Sequence, residues 1–464
     1  MCGIVAVSGN ADAARIAYLG LYSLQHRGQE AAGIATYDRA SGTSHRVREA
    51  GLVSDVFTEE QLAKLRGSTA VGHIRYSTAG GAGLKNAQPI RETYRSGHLA
   101  LVHNGNLTNF HAIRDRLLDE GALFQSTIDS EVIVHLIARS REATPDAQIA
   151  DALTQLEGAY CILAWVDDVL YAARDPYGYR PLVIGTLPGG GLMLASETCA
   201  LDIAKATYVR DVEPGELIRI RGGEIESLAC LQPYVAEPQP CIFELVYFAR
   251  PDTHLWGYTV DRARRAFGRK LAEERPMPGG DIVISVPDSA NSAAVGYAEA
   301  SGIPFELGLI RNHYVGRTFI TPGQEGRDFK VRMKFSPVRE VLDGKRVVVV
   351  DDSLVRGTTS RALVAMLRDA GAKEVHFRLA SPPVRWPCFY GIDMPTKDEL
   401  IASEKTVDEI RDYLGVDSLG YLSPEGMVEC VRDRGETYCT ACFTGDYRAP
   451  LVDAQEGFAM SSHC

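Results

Sequence analysis

The chain has 464 residues, of which 45% are hydrophobic and 23% charged, and a formal net charge of -11. That length exceeds what one hydrophobic core usually serves, so two domains are the default, and the composition is that of an ordinary globular protein. The negative charge argues against nucleic acid as the main partner, while a small anion held by local amides and a few cations remains open. No apolar run is long enough to span a bilayer; the run at 347–350 has strand length and stops at Asp351 and Asp352. Met1-Cys2-Gly3 carries no basic n-region and no cleavable apolar stretch, so a cytoplasmic location with no membrane partner is expected. The ten cysteines are then expected to be reduced thiols, with ligation or catalysis the reading for any that cluster.

In the first part, short apolar runs between Gly and turn residues predict strands at 3–7, 70–74, 99–102, 161–166 and 192–196. Helical spacing predicts helices over 14–25 and 129–139, the second opened by Asp129 as a start cap. Many strands with few helices suggest an α+β sandwich, sheet on sheet. Over 232–240 the composition shifts to Pro, Gln and Glu, a candidate linker between domains at 2–232 and 241–464. Beyond it, strand-like runs at 282–286, 347–350 and 375–379 alternate with helical patterns at 260–274, 292–300 and 359–370. That rhythm is the signature of βαβ units and a parallel sheet. The last ~60 residues show no clean period.

Cys2 follows the initiator Met directly, and Cys is small enough for that Met to be removed. A thiol beside its own α-amine is a self-contained nucleophile and base, because the amine has an ordinary pKa of roughly 8, close to that of the thiol. Four polar segments fall between apolar runs: Gln25-His26-Arg27-Gly28-Gln29, Gly72-His73-Ile74-Arg75-Tyr76-Ser77-Thr78, His103-Asn104-Gly105-Asn106 and Ser126-Thr127-Ile128-Asp129-Ser130-Glu131. Strand ends and turns are where sites are built. Thiol attack on an amide needs an oxyanion hole, which Asn104 and the Gly105 amide can supply. A free amino acid substrate needs a cation for its carboxylate and an anion for its ammonium, and Arg75 and Asp129 fit those needs. The bland alternative for each residue alone is a turn or a surface ion pair.

Together these segments resemble the class II glutamine amidotransferase domain, whose members begin Met-Cys-Gly-Ile. The resemblance covers residues 2 to about 230 and includes Glu157-Gly158-Ala159-Tyr160, Arg174-Asp175-Pro176, Arg180-Pro181-Leu182 and Ala195-Ser196-Glu197. It implies a four-layer αββα fold of the N-terminal-nucleophile hydrolase kind. It also implies Cys2 as nucleophile, Asn104 and Gly105 as oxyanion hole, Arg75 as ligand of the glutamine carboxylate, Asp129 as ligand of its amine, and Arg27 in the loop that closes over glutamine. His26, His73 and His103 lie near these segments, but the α-amine makes a histidine base unnecessary.

The second strong signal is the apolar strand at 347–350 running into Asp351-Asp352-Ser353-Leu354-Val355-Arg356-Gly357-Thr358-Thr359-Ser360. Backbone amides at a helix start, with the Thr358, Thr359 and Ser360 hydroxyls, make an anion cradle. The two carboxylates can hold ribose hydroxyls directly or through Mg²⁺. Acids beside a phosphate cradle would repel the ligand unless they had such a task. The segment resembles the phosphoribosyl pyrophosphate motif of type I phosphoribosyltransferases; it lacks the Gly-Lys-Ser/Thr element of a Walker A loop.

Further segments are similar to the glutamine phosphoribosylpyrophosphate amidotransferases: Tyr247-Phe248-Ala249-Arg250-Pro251-Asp252, Val286-Pro287-Asp288-Ser289, Tyr314-Val315-Gly316-Arg317, Lys334-Phe335-Ser336-Pro337 and Pro387-Cys388-Phe389-Tyr390-Gly391. The resemblance implies that glutamine, phosphoribosyl pyrophosphate and water give phosphoribosylamine, glutamate and pyrophosphate, the first committed step of purine synthesis. It implies an Mg²⁺ site at Ser289, Asp351 and Asp352, substrate contacts along Asp351 to Ser360 including Arg356 and Gly357, and a loop over 317–339 that orders over the substrate. That loop's Arg332, Lys334 and Arg339 would face pyrophosphate, surface solvation being the alternative for each. Loop closure would shield the sugar centre from water and join the two sites by an apolar ammonia channel.

Cys439-Thr440-Ala441-Cys442 is a Cys-x-x-Cys pair which, with Cys241 and Cys388, gives four thiolates. Spacing alone admits a Cys₄ zinc site or a 4Fe–4S cluster. One branch of the resembled family carries a 4Fe–4S cluster at the positions this chain fills with Pro240-Cys241-Ile242-Phe243-Glu244, Pro387-Cys388 and Cys439-Thr440-Ala441-Cys442-Phe443-Thr444-Gly445, which implies a structural cluster here. Cys161 and Cys199 lie in apolar surroundings and read as core residues. Inhibition by purine nucleotides and a homotetramer are implied by the resemblance only. Amidotransferases making glucosamine phosphate or asparagine are the nearest rivals, but their partners need isomerase or adenylating domains. A binding-only regulator has no use for Cys2, Asn104 and Asp129. A paralogue feeding specialised metabolism has the same residues.

Overall fold

A computed structural model of the protein describes residues 1–76, 83–230, 237–314, 331–394, 396–432 and 437–455. In the first half, side-chain alternation along the strands decides the layers. Along Gly3–Ser8, Ile4 and Ala6 face one way and Val5 and Val7 the other. Along Gly97–Leu107, Ala100 and Val102 oppose Leu99 and Leu101 in the same manner. Both strands are therefore apolar on both faces, as the middle layers of a sandwich must be.

The first antiparallel sheet has seven strands in the order Thr207–Asp211, Val183–Thr186, Leu192–Ala195, Gly3–Ser8, Thr69–Arg75, Ala31–Asp38, Thr43–Ala50. The second has six, in the order Glu224–Cys230, Glu216–Arg221, Val169–Arg174, Gly158–Val166, Gly97–Leu107, Ile90–Tyr94. Ile4, Ala6, Val71, Val102, Leu163 and Trp165 fill the space between them. Helices Ala13–Ser23 and Thr198–Ile203 cover the outer face of the first sheet, and Phe110–Asp119, Ser130–Arg139 and Pro145–Leu153 cover the second. The result is the αββα arrangement. Cys161 lies between the sheets and Cys199 on the inward face of the outer helix Thr198–Ile203, both in apolar cores.

The second half is built on a parallel sheet in the order Ile282–Ser285, Arg346–Asp351, Glu374–Leu379, Ser418–Tyr421. Val348 and Val350 face the helices Val260–Glu274 and Asn291–Ser301, while Val347 and Val349 face Thr358–Asp369 and Val407–Leu414. A sheet covered on both faces accounts for the unbroken valine run. The fourth strand and its helix fall in the stretch that read as having no period. The strand is only Ser-Leu-Gly-Tyr, too short to show alternation, whereas the helix carries a Thr406/Glu409 capping box.

Two segments tie the halves together. After residues 231–236, which lie outside the described residues, Gln239 N–H donates to the Tyr177 carbonyl at 2.6 Å. At the other end, Asp453 reaches back to the first half and caps the helix Phe110–Asp119 from outside, accepting from His111 N–H at 3.0 Å and Ala112 N–H at 3.2 Å. The C-terminal segment of the 241–464 unit is thus packed on the 2–232 unit. No helix among the described residues is long and apolar enough to cross a membrane.

Candidate active site

Cys2 immediately precedes the central strand Gly3–Ser8 and shares the parity of Ile4 and Ala6, so it faces the second sheet. Asn104 shares the parity of Ala100 and Val102 and faces back toward it. Cys2 N–H donates to Asn104 Oδ1 at 3.3 Å, and the Cys2 thiol donates to the Tyr76 carbonyl at 3.5 Å. Asn104 is wholly buried, and its Nδ2 has no hydrogen-bond partner among the described residues. A buried donor without an acceptor is costly, and such groups mark places where a ligand completes the bonding. Gly105 has φ +156°, and a Cβ there would lie 2.0 Å from the Ala159 carbonyl oxygen, so only glycine fits.

Met1 is buried in the apolar cluster of the second half. Its amine, with Met1 in place, is pushed down to about 6 by burial, with Arg180 and Arg27 adding to the shift.

Arg75 ends the strand Thr69–Arg75. It is buried, donates from Nη1 to the Asn86 carbonyl at 2.9 Å and has Glu30 3.9 Å from its Nε. Asp129 occupies the cap position of Ser130–Arg139, but its carboxylate does not cap that helix. It turns instead to accept from Leu107 N–H at 3.1 Å and the Ser130 hydroxyl at 3.3 Å, with His103 Nδ1 at 3.7 Å. Burial opposes its ionisation, but His103 and these hydrogen bonds outweigh that and hold the carboxyl below its ordinary value. His73 is buried beside Arg75 and His103, which keep it neutral: burial first, then the two neighbours, push its pKa well down. Ser77 and Thr78 lie outside the described residues.

Arg27 departs from the sequence reading. It lies in the short turn Gln25–Arg27 and is fully buried, its guanidinium bonded to Glu197 and, at 2.7 Å, to Glu244 of the second half. Both carboxylates are fully buried as well. A cation held from two sides at the domain junction is a structural clamp; it is not a free side chain over glutamine. His26 binds the same Glu197 at 2.7 Å.

In the second half, Asp351 ends its strand, and the chain turns through Gly357 (φ +75°) into the helix Thr358–Asp369, which presents the N–H groups of Thr358, Thr359 and Ser360. Asp352 N–H donates to Asp351 at 2.9 Å, the Ser353 hydroxyl donates to Asp352 at 2.6 Å, and Ser289 is hydrogen-bonded to Asp352. Burial raises both carboxyls, Asp351 well above the usual range because Asp352 adds its charge. Lys334 lies close enough to act on Asp351. Arg356 is exposed and paired with Glu399 at 3.2 Å. Arg332 and Arg339 turn away from the loop, to the Asp369 carboxylate and carbonyl, where cations suit the C-terminal end of a helix. Most of the 317–339 segment, through residue 330, lies outside the described residues.

The four cysteines meet at the junction of the halves. Cys439 N–H donates to the Pro240 carbonyl at 2.9 Å and Ile242 N–H to the Cys439 carbonyl at 3.3 Å, while Arg385 and Trp386 N–H both reach the Cys442 carbonyl at 3.0 Å. Burial pushes the Cys241 thiol up to about 11 and lifts Cys439 and Cys442 further, and Cys388 adds to the shift of all three. Among the described residues, no three His, Cys, Asp or Glu side chains converge on a position for a single metal ion.

Asn86 and Asp453 were not found from sequence, and Arg180, Glu197 and Glu244 stood there only as motif residues without a role, because each works through partners in other segments. Local spacing carries no signal for such pairs.

Comparison with known proteins agrees with this geometry. Residues 73–202 match a glutamine amidotransferase domain family. The chain is 50% identical over 446 residues to amidophosphoribosyltransferase 2 of Arabidopsis thaliana, covering 96% of this chain and 79% of that protein. It is 48% identical over 451 residues to the amidophosphoribosyltransferase of Bacillus subtilis, covering 96% and 94%. A solved glutamine phosphoribosylpyrophosphate amidotransferase from B. subtilis, complexed with ADP and GMP, superposes with a TM-score of 0.91 at 47% identity over 97% of this chain and 98% of that one. With near-full-length identity of this order and both halves matched, the chain belongs to the amidophosphoribosyltransferase family.

Proposed function

We infer that the protein releases ammonia from glutamine at Cys2 and transfers it to C1 of phosphoribosyl pyrophosphate, giving phosphoribosylamine, glutamate and pyrophosphate, the first step of purine synthesis. One observation carries the glutaminase part: the Cys2 N–H is held by Asn104 Oδ1, and the buried Asn104 Nδ2 lacks an acceptor among the described residues. Removal of Met1 would turn the Cys2 nitrogen into an amine beside its own thiol, already held by Asn104 Oδ1. That amine would take the thiol proton, and Asn104 Nδ2 with Gly105 N–H would receive the carbonyl oxygen as it gains charge. Arg75 would bind the glutamine carboxylate and Asp129, ionised by its surroundings, the ammonium.

In the second half, Asp351, Asp352 and Ser289 fit an Mg²⁺ site. Two adjacent buried carboxylates, both raised by burial and Asp351 further by the charge of Asp352, are the hard-oxygen donor set a divalent cation relieves. Mg²⁺ there would neutralise charge on the pyrophosphate. Arg356, Gly357, Thr358, Thr359 and Ser360 would cradle the 5-phosphate, with Lys334 toward pyrophosphate. Met1 lies in the apolar core of the second half, so Cys2 sits where an ammonia passage between the sites would begin.

Cys241, Cys388, Cys439 and Cys442 fit a 4Fe–4S cluster: thiols from three segments, of which burial raises Cys241, Cys439 and Cys442 and Cys388 adds to each, with the Arg180 guanidinium alongside. The cluster would staple the C-terminal segment to the junction and take no part in the reaction. The ADP and GMP held by the Bacillus relative support inhibition by purine nucleotides here. A cytoplasmic homotetramer completes the reading.

The test is Cys2→Ala. Glutamine-dependent synthesis should fall to background while ammonia-dependent synthesis persists. Equal loss of both, or full glutamine turnover with Met1 retained by mass spectrometry, would refute the assignment.

A further inference from the structure

The strand that carries Asn104 and Gly105 is touched near its end by the second half. Next to them, Asn106 donates from Nδ2 to the carbonyl of Phe389, 283 positions away, at 3.0 Å. Two residues on, Gly391 packs directly on Gly105. A Cβ at Gly391 would lie 3.0 Å from the Gly105 carbonyl carbon, 3.1 Å from its oxygen and 3.2 Å from its Cα. Gly391 also has φ +100°, a backbone shape L side chains rarely take. On its other side Gly105 is closed off by the Ala159 carbonyl oxygen, 2.0 Å from where its own Cβ would be. The Gly105 peptide is therefore held between the neighbouring strand and a segment of the second half.

That segment is itself fixed. The Tyr390 carbonyl accepts from Arg180 Nε at 3.0 Å and also from Arg180 Nη2. The Tyr390 ring stacks on Tyr179 with centroids 4.2 Å apart and planes 17° apart. Tyr390 N–H reaches Cys388 Sγ at 3.4 Å. Arg180 and Tyr179 belong to the first half, so that half holds the segment by both its backbone and its ring.

We propose that residues 388–391 are the back wall of the oxyanion hole, with Asn106 and Gly391 the positioning residues that hold the Gly105 peptide in register with Asn104 Nδ2. An oxyanion hole works only when its donors are already aimed at the oxygen, so a shift of the Gly105 N–H affects turnover and not glutamine binding. Because the wall carries Cys388, the four-cysteine junction and the glutaminase transition state share one short connection. This proposal rests on the assignment of Cys2 above and adds a structural dependence of the first site on the second half.

The experiment uses the full chain with Asn106→Ala, Asn106→Asp and Gly391→Ala. Four quantities are read: kcat and KM for glutamine, ammonia-dependent synthesis, and the rate at which iodoacetamide alkylates Cys2, which needs no oxyanion hole. Asn106→Ala should lower kcat for glutamine by about 10-fold with KM within about 2-fold. Asn106→Asp, whose carboxylate would face the Phe389 carbonyl, should lower it further. Alkylation and ammonia-dependent synthesis should stay at wild-type rates. Gly391→Ala should show the same pattern with a larger loss; if it does not fold, the two Asn106 variants decide. Wild-type kcat in both Asn106 variants would overturn the proposal, and so would a parallel fall of kcat, alkylation and ammonia-dependent synthesis. A wild-type enzyme lacking Cys2-dependent glutaminase would instead refute the assignment of Cys2.

Discussion

The glutamine side and the phosphoribosyl side of this chain are built in opposite ways. Cys2, Arg75, Asn104 and Asp129 come from four separate segments, and two packed sheets bring them together. Asp351 to Ser360 is one uninterrupted strand end, turn and helix start. The first site depends on long-range packing, including contacts made by the second half. The second depends mainly on local backbone geometry. The difference teaches where damage should spread: a lesion at the junction reaches the glutamine site, whereas a lesion in the phosphoribosyl loop stays there.

Removing the proposed cluster is the broadest way to break that contrast. Air inactivation should release iron and sulfide, bleach absorbance near roughly 400 nm and unfold the junction in one transition, because metal–thiolate bonding is folding energy. Stoichiometric zinc, or a protein that keeps its thermal transition after losing iron, would count against the structural cluster. Asp352→Asn should act on one side only. It should lower both glutamine-dependent and ammonia-dependent synthesis by about 100-fold or more while Cys2-dependent glutamine hydrolysis continues; a matching loss of basal glutaminase would show the sites to be less separate than their construction implies. Asp453→Ala is the gentlest probe. It removes the outside cap from the helix Phe110–Asp119, leaving the His111 and Ala112 N–H groups without that carboxylate. Denaturant unfolding should register a loss of about 1 kcal/mol, the usual worth of a helix cap, and an unchanged midpoint would mean that the C-terminal segment does not hold the first half.

How much was legible in advance follows the same division. The strand end, turn and helix start at 351–360 were legible, because acids, Gly, Thr and Ser stand in order along a valine strand. The helix predicted over 260–274 is observed at Val260–Glu274. The glutamine side was legible as a set of polar segments, but not in how each side chain is used. Asp129 reads as a helix cap and proves to face Leu107, because the strand bearing Leu107 brings a free N–H within reach. Arg27 reads as a loop residue and proves to be clamped by Glu197 and Glu244, which lie 170 and 217 positions away. Arg332 and Arg339 read as facing either pyrophosphate or solvent, and both pair with the exposed end of a neighbouring helix at Asp369.

Sequence alone determined the two-part organisation, the alternation that makes sheets of the first half, the βαβ rhythm of the second, and which residue types the two chemistries require. Those properties are local: period, turn chemistry and the order of donors along a few residues. Only the tertiary structure decided which cations are consumed by buried carboxylates, that the C-terminal segment caps a helix of the first half, and that Gly391 backs Gly105. Each of these joins residues more than a hundred positions apart, and their meeting is set by how the layers pack rather than by any pattern along the chain.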